Sequence, residues 1–361
     1  MHWHWLHPLV ARPGQGAAFL ALAVLVALAV DRLWGEPPAR WHPVVWMGQA
    51  LGACGRWVAP TTCTGRDLKG FWLAALFWCA LAAIVLIVSA LLQAAVLYVW
   101  GAPTEVCEVI IDMPGLGLEG ASAVVGVLRF LLAALLLGLL LKPLFAFRLL
   151  LREVRAVEDA LARSLGEGRA RLAWLVSRDV TQLSADEVRQ SAIESLAENL
   201  NDSVVAPLFW FAVAGLPGAA LYRLANTADA MWGYRGMREG RYWEWAGKWA
   251  AHADDVLSWL PARITALLLA LAGRGVRQRA LASEARRTPS PNSGWPMAAM
   301  ALALDVRLTK PGVYQLHAQG RAPGAPDVAR AETVASKVVM AIAGIAGAAI
   351  VIVVIEGVWN V

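Results

Sequence analysis

Between residues 71 and 100, thirty consecutive positions pass without one charged side chain. A helix needs roughly 20 apolar residues to cross a hydrocarbon layer about 30 Å thick, so this run alone points to a membrane span. Segments 17–34, 123–141 and 338–355 have the same character, the first charge-free up to Val30 and the second carrying only Arg129. Two further apolar segments, 204–225 and 256–272, are interrupted by Gly215, Pro217 and Gly218 and by Pro261 and Arg263. Interrupted segments at membrane depth are tolerated where they are enclosed by protein or line a cavity. The expected fold is therefore all-α: one polytopic helical membrane domain over 1–361, with four spans, two broken or re-entrant segments and cytoplasmic helical insertions.

Composition agrees with that reading. Of the 361 residues 58% are hydrophobic and 16% charged, against about 25% charged in an ordinary soluble domain. This excludes a soluble globular enzyme as well as a disordered or collagen-like chain. The formal charge of +5 is what cytoplasmic loops rich in Lys and Arg produce, so nucleic acid is not an expected partner. Cys54, Cys63, Cys79 and Cys107 form no Cys-x-x-Cys pair, and neither a zinc site nor a disulfide framework is expected.

Basic residues also orient the chain. Segment 101–122 has no Lys or Arg but contains Glu105, Glu108, Asp112 and Glu119, whereas nine Lys and Arg lie in 142–203 and ten in 273–337. The positive-inside rule then puts 101–122 and the N-terminus outside, and 31–70, 142–203 and 273–337 in the cytoplasm. Arg235, Arg238, Arg241 and Lys248 draw the stretch between the two interrupted segments to the same face. The run His2, Trp3, His4, Trp5 and His7 reads as an interfacial aromatic anchor, with a metal site of alternating histidines as the alternative.

Glycine motifs offer little. Gly115-x-Gly117-x-x-Gly120 fits the dinucleotide pattern, but Pro114 precedes it and no acidic residue follows at the required distance; a turn before a membrane helix explains it better. No P-loop occurs. Carboxylates say more. Ser184 with Glu187 three residues on has the form of a capping box for a helix over 184–206, on which Glu194, Glu198 and Asp202 recur every four residues with Asn199 beside them. Like charges so stacked repel, which calls for a cation opposite; a magnesium ion completed by phosphate oxygens and neighbouring arginines both answer. Asn226, Thr227 and Asp229 follow one apolar segment and Asp254 and Asp255 open the next, positions at which ionisable groups are costly unless used. Trp232-Gly-Tyr234-Arg235 lies between them. The 290–296 stretch, Ser290-Pro-Asn292-Ser293-Gly-Trp295-Pro, serves equally as a ligand-gripping loop or as a turn.

Taken in order, Asp31-x-x-x-Gly-x-Pro with His42-Pro43, Glu194-Ser-Leu-Ala-Glu198-Asn199-x-x-Asp202, Asn226-Thr-x-Asp229 with Tyr234, Asp254-Asp255 with Pro261-Ala-Arg263, and the 290–296 stretch resemble the adenosylcobinamide-phosphate synthase family of cobalamin biosynthesis. The resemblance implies an inner-membrane, ATP-dependent amide ligase. It would join adenosylcobyric acid to aminopropanol phosphate or ethanolamine phosphate, plausibly through an acyl phosphate, at a site facing the cytoplasm. It implies Mg²⁺ with ATP as co-substrate, Glu198, Asp202, Asn226 and Asp229 as metal ligands, and Asp254, Asp255 and Glu194 as catalytic groups. Arg235, Arg263, Ser290, Asn292 and Ser293 would hold ATP or phosphate, and Asp31, His42, Tyr234 and Trp295 would face the corrinoid substrate. Trp232, Trp243, Trp245, Trp249 and Trp295 suit either a groove for the corrin or an interfacial belt. Expected partners are the corrinoid and amino-alcohol phosphate substrates, the lipid bilayer, and a second copy of the chain or other corrinoid-pathway membrane proteins. A Mg-dependent intramembrane prenyltransferase, a transporter and a non-catalytic regulatory relative are the competing readings.

Overall fold

The computed structural model describes residues 13–62, 65–101, 118–273 and 278–359. The His-rich N-terminal run, Cys63, Cys107 and the first two glycines of the 115–120 motif lie outside them. Twelve helices are seen among these residues: α1 Pro13–Leu33, α2 Pro43–Val58, α3 Leu68–Gly101, α4 Leu118–Leu141, α5 Phe147–Arg163, α6 Leu165–Leu172, α7 Ala185–Leu200, α8 Ala206–Trp232, α9 Lys248–Ala272, α10 Gln278–Ala285, α11 Gly294–Leu304 and α12 Ala325–Trp359. Two short antiparallel hairpins, β1 Met237–Arg238 with β2 Arg241–Tyr242 and β3 Leu308–Lys310 with β4 Tyr314–Leu316, are the only paired strands there.

Six helical stretches are long and apolar enough to cross a membrane. Large apolar side chains such as Leu76, Ile84, Ile87 and Leu91 on α3 and Met340, Ile345, Val351 and Val354 on α12 face outward. That is the reverse of a soluble protein and what a lipid solvent requires. Helix α1 packs between α4 and α12, and α3 packs against α4 and α8.

The stretch Ala185–Trp232, 48 residues long, is about twice the length of a single span, and it is folded back on itself. Ala214 and Gly215 leave helical geometry, and Gly215 takes φ 65°, ψ −155°, a region open essentially to glycine alone. A Cβ on Gly218 would come within 2.4 Å of the Trp210 carbonyl. Arg223 Nη1 donates to the Asp202 carbonyl at 3.0 Å. In a straight helix residues 202 and 223 would be about 30 Å apart at 1.5 Å per residue, so 206–213 and 216–232 are the two legs of a re-entrant hairpin, with Pro217 opening the return leg, where its missing N–H costs nothing. The tip is capped from α3: Gln93 Oε1, in the middle of the charge-free run, accepts from Leu216 N at 2.7 Å.

Helix α9 runs unbroken through Pro261, so the interruption read there from sequence is not a break. It begins against Trp232 and ends against Ala303 and the first turns of α12. By length and hydropathy it remains one of the six candidate spans. Segment 142–203 is helical, as α5, α6 and α7; segment 273–337 carries α10, a buried α11, the β3–β4 hairpin and the start of α12.

Candidate active site at the mouth of the re-entrant hairpin

The Ser184–Glu187 capping box is present and starts α7. At its far end the helix does not run straight into α8: residues Asn201–Val205 form a π turn, a feature often found at functional sites. Glu194 and Glu198 line one cavity together, and Glu198 also feels the charges of Asp202 and Asp229.

Asp202 lies between the hairpin legs and α9. Its Oδ1 accepts from Asn201 Nδ2 at 2.7 Å and from the Tyr222 hydroxyl at 3.4 Å. Tyr222 in turn shares a 3.0 Å hydrogen bond with Ser258, which donates to Asp254 Oδ2 at 3.5 Å. Asn226 bridges the return leg and α9: its Nδ2 donates to Asp254 Oδ1 at 3.4 Å, while its Oδ1 accepts from Arg223 Nη1 at 3.3 Å. Asp254 also feels the charges of Asp202, Asp229 and Asp255. Four elements, α7, the π turn, α8 and α9, thus bring Glu198, Asp202, Asp229, Asp254 and Asp255 into one half-buried cleft. Arg223 is the cation set among them.

The 290–296 stretch closes one side. Asn292 Nδ2 donates to the Asp255 carbonyl at 2.8 Å, and Asn292 Oδ1 accepts from Arg263 Nη1 at 2.8 Å. The Arg263 guanidinium lies between the rings of Trp259 and Trp295, 4.5 and 4.9 Å from their centroids, an arrangement that holds its charge over the aromatic faces. The Ser290 hydroxyl accepts from the backbone N–H groups of Asn292 and Ser293. Of these residues, then, Asn292, Arg263 and Trp295 reach the Asp255 side of the cleft, while Ser290 shapes the loop.

Other residues singled out from sequence lie elsewhere. Arg235 is exposed after α8, and the Tyr234 ring lies 3.6 Å beneath the Arg238 guanidinium; among the described residues no hydrogen bond ties either to the carboxylates. Asp31 and His42 belong to a neighbouring network centred on Lys142 and Glu36, and Glu36 also feels the Arg223 charge. Lys142 Nζ lies 3.1 Å from Asp31 Oδ1 and 2.9 Å from Glu36 Oε1, Arg148 N donates to Asp31 Oδ2 at 2.8 Å, and His42 Nε2 lies 3.1 Å from Glu36 Oε2. Burial works against the Glu36 carboxylate, yet the hydrogen bonds from His42 and Lys142 outweigh it and hold Glu36 below the usual range. With its Nε2 taken by Glu36, His42 stitches α2 to α1 and α4. Trp232 and Trp243 are buried and stacked, and Trp249 packs edge-on against Phe71 and Trp78. Those three rings form core and not an open groove.

Sequence reading missed Arg223, Tyr222 and Ser258. Arg223 had a signal, being the single charge in segment 204–225, where an ionisable group is expensive unless it is used. Tyr222 and Ser258 had none, because only the hairpin fold brings them to Asp202.

Among the described residues, no three Asp, Glu, His or Cys converge closely enough to cage a metal by themselves. Magnesium does not need such a cage, since it commonly takes one or two carboxylates and fills its octahedron with water and phosphate oxygens. Hard oxygen donors in excess of positive charge, as here, fit that kind of site.

The family described as CobD/Cbib protein matches residues 24–343 of the chain. The chain is 38% identical over 300 residues to the probable cobalamin biosynthesis protein CobD of Methanothermobacter thermautotrophicus, covering 81% of this chain and 85% of that protein. It is 37% identical over 308 residues to the cobalamin biosynthesis protein CobD of Halalkalibacterium halodurans, covering 81% and 82%. With the protein of the same name from Stutzerimonas stutzeri it shares 38% identity over 319 residues, 86% and 91% of the two chains. No solved structure matches.

Proposed function

Because the chain belongs to the CobD/CbiB protein family, we propose that it is the enzyme of cobalamin biosynthesis that joins adenosylcobyric acid to an amino-alcohol phosphate, consuming ATP and giving adenosylcobinamide phosphate. The observation that carries this reading is the convergence of Asp202, Asp229 and Asp254, from a π turn, a re-entrant leg and α9, around the half-buried guanidinium of Arg223. A carboxylate does not condense with an amine in water without activation. Transfer of the γ-phosphoryl group to the substrate carboxylate gives an acyl phosphate and ADP; attack by the amine then forms the amide and expels phosphate. Such a transfer is catalysed chiefly by positioning and by neutralising the phosphate oxygens.

Bound Mg²⁺ would supply that neutralisation. Asp202 and Asp229 would hold it, with Glu198 and the Asn226 amide beside them. Arg223, fixed by the Asp202 carbonyl and Asn226, aims positive charge into the same cleft. Arg263, held by Asn292 and two indole rings, suits an outer phosphate at the cleft's rim. Asp254 or Asp255 takes the proton the amine loses as the amide forms. The Lys- and Arg-rich character of 142–203 and 273–337 supports a mouth on the inner face of the membrane.

The test is direct. Purified protein is incubated with adenosylcobyric acid, aminopropanol phosphate or ethanolamine phosphate, and Mg-ATP. The expected products are ADP and a corrinoid heavier by the mass of the amino-alcohol phosphate less one water, in equal amounts. ATP turnover without a corrinoid product, or neither product, would overturn the proposal.

A further inference from the structure

A second polar cavity, of about 150 Å³, opens beside the cleft between α7, the 175–178 turn and the β3–β4 hairpin, and of its lining the reaction as derived above uses Glu198 alone. Arg178, Ser191, Glu194, Glu198, Lys310 and Tyr314 line it. Arg178 Nη2 donates to Glu194 Oε2 at 2.9 Å and to the Ser191 hydroxyl at 2.5 Å. The remaining atoms of that pair are left over: Arg178 Nε and Nη1 and Glu194 Oε1 are buried without a hydrogen-bond partner, and the Glu194 side chain is only 5% exposed. Leaving such donors and acceptors unpaired costs about 1–3 kcal/mol each, more for charged groups, so the arrangement is built for an occupant. Burial and the neighbouring Glu194 and Glu198 hold the Tyr314 phenol above its ordinary range, so it stays protonated.

Charge and size narrow the occupant. Arg178 and Lys310 balance Glu194 and Glu198, so a phosphate meets two carboxylates and an ammonium meets two cations. A neutral group offering an acceptor and a donor side by side meets neither penalty. The volume is below the 300–1,000 Å³ of a site for a whole drug-sized ligand and admits one side-chain-sized group. We propose that this cavity is a subsite for a primary carboxamide on the periphery of the corrinoid substrate, its oxygen accepting from Arg178 Nε or Nη1 and its NH₂ donating to Glu194 Oε1. The inference rests on the ligase reading and adds to it: Glu194 binds and orients the substrate and does not take part in the bond-making steps. A corrinoid anchored here by an edge amide sits beside Glu198 and the phosphate-holding cleft.

The full-length protein and its Glu194→Gln variant are compared in detergent, with unfolding midpoints to show that both are folded. Binding of adenosylcobyric acid is measured without ATP, and KM is measured for each of the three substrates. The second ligand is a set of adenosylcobyric acids, each with one peripheral carboxamide hydrolysed to a carboxylate. For one position the unmodified protein should bind the carboxylate form at least about tenfold more weakly than the amide, because Glu194 repels it. In Glu194→Gln that discrimination should fall to near unity, since the new amide donates to the carboxylate. The KM for ATP and for the amino-alcohol phosphate should stay within about twofold. Equal discrimination in both proteins at every position would overturn the subsite and leave the cavity to water; a rise in the ATP KM alone would assign it to the adenine edge. Should the variant not fold, the absence of a discriminating position in the unmodified protein would by itself overturn the proposal. Failure of ligation with every corrinoid, while binding still discriminates amide from carboxylate, would instead remove the ligase reading and keep the subsite.

Discussion

Two buried clusters of charge lie at the same end of this bundle and are built on opposite principles. In the first, Asp31 and Glu36 face Lys142 and His42 at 2.9–3.1 Å. In the second, Glu198, Asp202, Asp229, Asp254 and Asp255 surround Arg223, which spends its Nη1 hydrogen bonds on the Asp202 carbonyl and the Asn226 amide oxygen. Buried charges without partners cost several kcal/mol; the chain compensates the first cluster itself, and the second, with more carboxylates than cations, is where we propose that a bound cation sits. The first cluster pins α1, α2 and α4 together; the second is where the chemistry is proposed to occur.

The contrast can be broken by attacking each side. Lys142→Met removes the central cation of the closed cluster and leaves two buried carboxylates facing each other, with an expected loss of about 3–5 kcal/mol of stability, read as a drop in unfolding midpoint and in folded yield. Restoring neutrality with Asp31→Asn and Glu36→Gln in the same chain should recover most of it. Asp254→Asn in the open cluster should do the reverse: ligation falls by at least about 100-fold, read from initial rates of ADP release, while the unfolding midpoint holds or rises because like-charge repulsion is relieved.

Smaller effects sharpen the boundary between the regions. Gln93→Leu strips the cap from the hairpin tip and leaves the Leu216 N–H without an acceptor in an apolar setting, for about 1–3 kcal/mol. Activity in the surviving folded protein should drop too, since the return leg carries Arg223 and Asn226. Acid gives the smallest effect. Glu36 is held below its ordinary value, so its contribution to stability is in force above the usual carboxylate range and is lost as pH falls through the lowered value. The unfolding midpoint should therefore fall more steeply between neutral and acidic pH in the unmodified protein than in Glu36→Gln.

How much of this was legible beforehand differs by element. Hydrophobic run lengths announced the spans, because a lipid solvent leaves little choice. Ser184 and Glu187 announced the start of α7, because a capping box is local. Gly215, Pro217 and Gly218 marked a break, and the structure makes it the tip of a hairpin. What lay beyond reach was who meets whom across that hairpin. The four-residue spacing of Glu194, Glu198 and Asp202 suggested one stripe, and Glu194 and Glu198 do line one cavity, but the partners of Asp202 at the π turn, Asn201 and Tyr222, could not be read from spacing. Asp31 shows another limit: its partners Lys142 and Arg148 lie more than a hundred residues away, so no local pattern announces the network it shares with Glu36 and His42. Gln93 reads as an incidental polar residue in a span until the Leu216 N–H it serves is in place.

Manganese, a paramagnetic stand-in for magnesium, tests the second cluster most directly. Electron paramagnetic resonance of the purified protein titrated with Mn²⁺ in the presence of ATP should show a saturable bound ion whose affinity falls at least about tenfold in Asp202→Asn and in Asp254→Asn but not in Asp31→Asn. Ion binding unaffected by the first two substitutions, or weakened only by the third, would contradict the account.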